Sequence, residues 1–233
     1  MLSIRQFRYA SDNLAYLIHG SHQAIAVDGG ATEEILSYLS KKGLELVRVT
    51  NTHEHPDHTP GNRQLIEKTG AQRLKPPNAA AEGKMVLEDK VIEVIHTPGH
   101  TLDSVTFHLS GRILTGDTLF NGTVGNCFSG DLNAFYNSIK QLMALPENTV
   151  IYAGHDYVKY AMAFARTIEP ENPDIDRFLR TRDDSHVFST LAEEKQVNPY
   201  LRFNNPGMIR ILEKRGLPVA SEYQRWESIM QLG

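Results

Sequence analysis

Short apolar runs in this chain repeatedly break off at a histidine or an aspartate, and that repetition limits the folds open to it. Leu44–Val49 reads as a strand and runs straight into Thr52-His53-Glu54-His55-Pro56-Asp57-His58. Val91–Ile95 ends at Thr97-Pro98-Gly99-His100, Arg112–Thr115 at Gly116-Asp117, and Val150–Ala153 at Gly154-His155. Loops carried on a rigid scaffold are where binding and catalytic sites are assembled. A single histidine after a strand is more often a cap or a surface residue. Repeated over several strand ends, the arrangement reads as one site.

Within the first cluster, His53 and His55 stand at i and i+2 of an extended segment, so both imidazoles point the same way and reach one ion. Asp57 and His58 fall where the chain has begun to turn, and reach a second ion beside the first. Neutral imidazole and carboxylate are ligands of zinc, which in a catalytic site keeps a position open for water. Iron and manganese accept the same donors. The single cysteine, Cys127, excludes an intrachain disulfide and a thiolate-rich cluster. Any metal here depends on His and Asp.

Periodicity places these loops in a mixed α/β chain. Asn13–Ile18 and Gln23–Asp28 read as a hairpin, and Ala31–Lys42 carries Ile35, Leu36 and Leu39 at helical spacing before Gly43. Asn62–Thr69 is a second helix, stopped by Gly70. Strands are expected at Met85–Leu87, Val91–Ile95, Val105–Leu109 and Arg112–Thr115, then a helix at Leu132–Leu145 and a buried strand at Val150–Ala153. Beyond His155 only helices are read, at Val158–Ile168, Pro173–Arg182, Pro206–Arg215 and Ser221–Leu232. Two prolines in Glu169-Pro170-Glu171-Asn172-Pro173 interrupt helix there. They divide a mixed α/β domain, 1–168, from a small helical domain, 169–233.

Several function classes find no support. With 24 Lys and Arg against 28 Asp and Glu there is no basic excess for a nucleic-acid partner. No apolar run approaches the ~20 residues of a membrane helix, and Met1–Arg8 does not read as a signal peptide. The expectation is a cytoplasmic protein with neither membrane nor nucleic acid as partner. A G-x-S-x-G elbow, a catalytic-cysteine signature, a Walker A loop and a G-x-G-x-x-G fingerprint are all absent from the sequence.

His53-x-His55-x-Asp57-His58, followed by His100, Asp117 and His155 in that order, resembles the metallo-β-lactamase superfamily. The resemblance implies an αββα sandwich with a two-metal site at one edge. It assigns His53, His55 and His100 to the first ion, Asp57, His58 and His155 to the second, and Asp117 to a bridge; Glu54 is read as a non-ligand. Thr115-Gly116-Asp117-Thr118-Leu119-Phe120, Gly154-His155-Asp156-Tyr157 and Phe164-Ala165-Arg166 with Glu169-Pro170 and Asn172 are similar to glyoxalase II, the hydroxyacylglutathione hydrolases. So are Ser189-Thr190-Leu191-Ala192-Glu193-Glu194 and Asn198-Pro199-Tyr200-Leu201-Arg202 in the helical part, and the likeness spans nearly the whole chain. It implies hydrolysis of a small-molecule thioester by two divalent ions, zinc in the first place and iron or manganese as alternatives, with Asp57 orienting a hydroxide. A thioesterase for another thiol carrier and an iron-dependent persulfide dioxygenase are the alternatives within the fold.

The likeness thins at the substrate. In that family a Lys-Phe-Tyr stretch holds the glutathione moiety, and a C-terminal Arg-x-x-Lys pair grips its carboxylates. Here the loop reads Gly125-Asn126-Cys127-Phe128-Ser129-Gly130, with Asn126 in the lysine's place and Phe128 in the tyrosine's. No Arg-x-x-Lys aligns with Ala220–Trp226, and Tyr157 alone is kept. Asn126, Phe128 and Tyr157 are the expected substrate contacts. Charge-assisted hydrogen bonds contribute roughly 1.5–3 kcal/mol each, so losing the cations predicts weak glutathione binding unless others replace them. Arg202 and Arg225 are the possible replacements, but read as ordinary surface charge. Cys127 reads as an inert thiol.

Overall fold

In the computed structural model, which describes residues 1–233, β1 (Ser3–Tyr9), β2 (Asn13–His19) and β3 (Gln23–Val27) form an antiparallel meander. β4 (Glu45–Thr50) and β5 (Gln72–Leu74) extend that sheet in parallel. The second sheet contains β6 (Lys84–Leu87), β7 (Lys90–His96), β8 (Val105–Leu109), β9 (Arg112–Gly116), β10 (Val150–Ala153) and β11 (Ser189–Thr190), in the order β11-β10-β9-β8-β7-β6. Parallel neighbours need a crossover. Accordingly α1 (Thr32–Lys42) joins β3 to β4, α2 (Asn62–Thr69) joins β4 to β5, and α4 (Leu132–Met143) joins β9 to β10; α3 (Pro76–Glu82) follows β5.

β2 is apolar without alternation because both of its faces are buried. Leu14, Tyr16 and Ile18 meet Ile92, Val94, Phe107 and Leu114 of the other sheet, while Ala15 and Leu17 pack under Ile35, Leu39 and Leu65 of α1 and α2. On the far side, Ile113 and Ile151 pack under Phe135, Ile139 and Leu142 of α4. The layers are therefore helix, sheet, sheet, helix.

The remaining helices are α5 (Val158–Ile168), α6 (Pro173–Thr181), α7 (Leu191–Val197), α8 (Pro206–Lys214) and α9 (Glu222–Met230), with a 3₁₀ turn at Pro199–Leu201. They share a core with α4: Trp226 of α9 is fully buried, its ring 5.7 Å from Phe135. Contrary to the all-helical expectation beyond His155, Ser189–Thr190 pairs antiparallel with β10. Two residues are too few to show alternation. β1, β5, α3 and α7 were also not anticipated; β5 has three residues, and α3 starts at Pro76-Pro77, which resembles a turn. Arg202 is not surface charge either. Its guanidinium makes a bidentate pair with Glu169 at 2.7 and 2.9 Å, and Arg225 is bonded to Phe203 O, Val219 O and Asn204 Oδ1.

A buried carboxylate ties this helical part to the loop after β9. Glu194 of α7 accepts hydrogen bonds from Gly122 N, Ser189 Oγ and Asn198 Nδ2, and Asn198 Nδ2 also reaches Thr123 O. Burial raises the Glu194 carboxyl to about 7, against the pull of those donors. A folded-state pKa above the unfolded one gives stability that is full below the unfolded value, near 4.5, and fades as pH rises through about 7. Unfolding free energy is expected to fall over that window by on the order of 3 kcal/mol relative to Glu194→Gln. Urea melts of both proteins across the window check this, and parallel pH profiles would contradict it.

Candidate active site

The two sheets are stitched together at the edge where several of these strands end. Leu14 N donates to Gly154 O and Val105 N to Thr52 O, each at 2.8 Å, and Gly154 N donates to Gly116 O. Those bonds bring together the loops after β4, β7, β9 and β10. Asp28, at the end of β3 and fully buried, accepts from both Thr52 N and Thr52 Oγ1 at 2.8 Å and lies 3.1 Å from His58 Nδ1. Asn51 Nδ2 donates to His58 O and fixes the turn through His55-Pro56-Asp57. Gly154 is required here, because a Cβ would stand 2.2 Å from Asp117 Oδ1.

Three groups of side chains result. His53, His55 and His100 form one, His53, His58 and Asp117 a second, and Asp57, His58 and His155 a third; within each, the donor atoms lie within 4.8 Å of one another. His55 Nδ1 is 3.1 Å from His100 Nε2, and His58 Nε2 is 3.2 Å from His155 Nε2. Asp117 stands between them, with Oδ1 3.3 Å from His58 Nε2 and Oδ2 3.5 Å from both His100 Nε2 and His155 Nε2. His53 Nε2 is 4.0 Å from Oδ2.

The outer nitrogens define how these rings present themselves. His53 Nδ1 faces Thr52 Oγ1 at 3.1 Å, His100 Nδ1 faces Asn126 O at 2.9 Å, and His155 Nδ1 faces Asp12 Oδ1 at 2.8 Å. An outer N–H donated to oxygen leaves the inner Nε2 with a lone pair, the form a metal takes. His53 Nε2 and Asp117 Oδ1 are buried without a hydrogen-bond partner. A divalent cation satisfies such converging lone pairs, so the donor set fits a metal.

Electrostatics agree. Burial, then the neighbouring charge of His58, lowers His53 to about 4, and burial also lowers His100. Burial opposes charge on His58 and Asp117, yet Asp28 and Asp117 hold His58 well above its ordinary range, and His155 and His58 hold Asp117 well below its own. His155 is likewise raised, against burial, by Asp117 and Asp12. The buried carboxylates demand positive charge at this spot.

All seven residues expected as ligands, His53, His55, Asp57, His58, His100, Asp117 and His155, lie in these groups. Glu54 turns away to Arg73. Tyr157 stacks on His155, ring centroids 4.9 Å apart, and Phe128 lies edge-on to His55 and His100 at 5.6 and 5.3 Å. Asn126 contributes its carbonyl, to His100, while the residue is exposed. Sequence reading missed Asp28, Thr52, Asp12 and Asn13. Asp28 carried a usable signal, since it too ends a strand and precedes a glycine pair.

Known proteins match along nearly the full length. The family described as metallo-beta-lactamase superfamily matches residues 9–92 and 75–155, and the hydroxyacylglutathione hydrolase C-terminus matches residues 156–229. The hydroxyacylglutathione hydrolase of Chromohalobacter salexigens is 32% identical over 236 residues, covering 93% of this chain and 92% of that one. The one from Pseudoalteromonas translucida is 30% identical over 250 residues, covering 100% and 97%. Among solved structures, ETHE1 from Myxococcus xanthus superposes with a TM-score of 0.70 over 98% of this chain and 90% of that one, at 24% identity, a likeness of fold. No helix is long and apolar enough to cross a membrane.

Asp28 touches the cluster only through His58 and Thr52, which separates its role from that of a ligand. Asp28→Asn is expected to lower metal affinity about 10- to 100-fold, as loss of a ligand's orienting partner does. Zinc titration with a competing chelator measures this, and unchanged affinity in a folded variant would contradict it.

Proposed function

Because the chain belongs to the hydroxyacylglutathione hydrolase family of the metallo-β-lactamase superfamily, we propose that it is a two-metal hydrolase of small 2-hydroxyacyl thioesters. The observation that carries this reading is Asp117, set between the His55–His100 pair and the His58–His155 pair. His53, His55 and His100 would hold one ion, Asp57, His58 and His155 the other, and Asp117 both. Zinc suits these donors best, with iron or manganese accepted by the same set. Divalent ions held there would supply Lewis acidity and water activated at neutral pH.

The chain's own groups then have defined tasks. Asp57 is the exposed member of the set, at 51%, so it is the carboxylate that water reaches first. Asn13 Nδ2 donates to its Oδ2 at 3.1 Å and holds it in place, and its pKa, which burial would raise, is lowered by His58 and that hydrogen bond. It stays anionic and orients the water through a hydrogen bond. The water oxygen adds to the acyl carbon, the carbon–sulfur bond breaks, and sulfur leaves as thiolate and takes up a proton. Acid and thiol are the products. Phe128 and Tyr157 flank this centre and give the substrate apolar walls. Cys127, half-buried beside Ser129, is not among the donor groups, and this reaction needs no protein nucleophile.

The third group, Asp57, His58 and His155, favours hydrolysis with two ions over a single-iron persulfide dioxygenase. Metal-loaded protein is expected to cleave a lactoyl thioester, with activity lost to a chelator and restored by the metal. Asp57→Asn, at matched metal content, is expected to lower kcat about 100-fold or more with a smaller change in KM. Oxygen uptake with a persulfide, without thioester cleavage, would overturn the assignment.

A further inference from the structure

In Gly154-His155-Asp156-Tyr157, the glycine, the histidine and the tyrosine all touch the donor cluster, whereas the Asp156 side chain meets two guanidinium groups. Arg8 Nη2, on β1, donates to Asp156 Oδ2 at 2.7 Å, and Arg182 Nη2, from the segment after α6, lies 3.9 Å from the same oxygen. Asp156 and Arg182 are each only 13% exposed, so solvent screens this cluster less than an ordinary surface pair. Arg8 Nη2 also donates to Asp184 O at 3.0 Å, and Arg182 pairs with the Asp184 carboxylate. Two residues earlier on β1, Gln6 Nε2 donates to Val187 O and Gln6 Oε1 accepts from Val187 N, each at 2.8 Å. The stretch from Arg182 to Val187 is thereby tied to β1 at alternate residues.

The turn that follows β1 serves one metal group and not the other. Tyr9 pairs with Asn13, so only Ala10, Ser11 and Asp12 make the turn, with Ala10 in the left-handed region at φ 49°. Asp12 Oδ1 faces His155 Nδ1 at 2.8 Å, and Asn13 Nδ2 donates to Asp57 Oδ2 at 3.1 Å. Both recipients belong to the Asp57, His58 and His155 group. His53 and His100 take their outer partners from Thr52 and Asn126 instead. Asp12 is 35% exposed, so water competes for its carboxylate and the turn must be held to keep it on His155. Asp156 holds it twice: its N–H donates to Asp12 O at 2.9 Å, and its carboxylate grips Arg8, four residues before Asp12.

We propose that Asp156, clamped between Arg8 and Arg182, is a positioning residue for the ion of the Asp57, His58 and His155 group: it seats the β1–β2 turn so that Asp12 fixes His155. Asp156 acts through Asp12 and touches no reacting atom. The inference rests on the two-ion reading above. Without the Asp156 carboxylate, Arg8 keeps only Asp184 O to answer its charge, and the turn loses its side-chain anchor. A histidine whose ring is no longer oriented from behind must be ordered when the ion binds, which weakens that ion alone.

Zinc titration against a competing chelator, resolved into two affinities, tests this without any substrate. His155→Ala identifies the affinity that belongs to the Asp57, His58 and His155 group, and His100→Ala the other. Asp156→Asn, which keeps the backbone bond to Asp12, is expected to weaken the first of these about tenfold and to leave the other within about twofold. Arg8→Met is expected to act in the same direction, with Arg8→Lys close to the unaltered protein, so the test stands even if Asp156→Asn fails to fold. Asp12→Asn is expected to lose more than Asp156→Asn, and the two combined no more than Asp12→Asn alone, because one acts through the other. Equal weakening of both ions, full additivity in the double variant, or two unchanged affinities in folded Asp156→Asn and Arg8→Met would overturn the inference and leave the two-ion reading standing. Uptake of a single zinc by the unaltered protein would overturn both.

Discussion

Two buried carboxylates at the junction of two sheets govern this structure. Asp117 and Asp28 sit where water is excluded, and an ionised group so placed is costly unless positive charge or donors surround it. Thr52 supplies two donors to Asp28, and His58 lies between Asp28 and Asp117. Remove the demand of those carboxylates and nothing requires five imidazoles to crowd one edge. With it in place, the fold must either protonate its histidines or bind cations.

The scaffold answers by holding ring orientation from behind. Asp12, Asn126 O, Thr52 and Asp28 each face the outer nitrogen of one histidine, and they come from four separate stretches of chain. Sheet-to-sheet bonds such as Leu14 N to Gly154 O keep those stretches in register. The helical part contributes differently. Glu194 and Asn198 grip the Gly122–Thr123 backbone, on the loop that runs from Asp117 through Phe120 to Asn126 and so carries a donor of the cluster.

Much of this was legible in the sequence because it is local. His53, His55, Asp57 and His58 share one loop, and the strand-end pattern placed His100, Asp117 and His155 without any knowledge of contacts. Glycine stops at Gly43 and Gly70 marked helix ends that the structure shows in the left-handed conformation. What stayed hidden is long-range. The Arg202–Glu169 pair spans 33 residues, so Arg202 looked like surface charge until its partner was seen. β11 becomes a strand through β10 and has no pattern of its own. Asp12 precedes the strand expected at Asn13–Ile18 and Asn13 opens it, and neither carries a local signal, although one faces His155 and the other holds Asp57.

Anomalous scattering from a crystal of the metal-loaded protein tests the central claim most directly. The account predicts two peaks, one among His53, His55 and His100 and one among Asp57, His58 and His155, with Asp117 in bonding distance of both. A fully loaded crystal with no peak in either group, or with one peak lying away from Asp117, would contradict it.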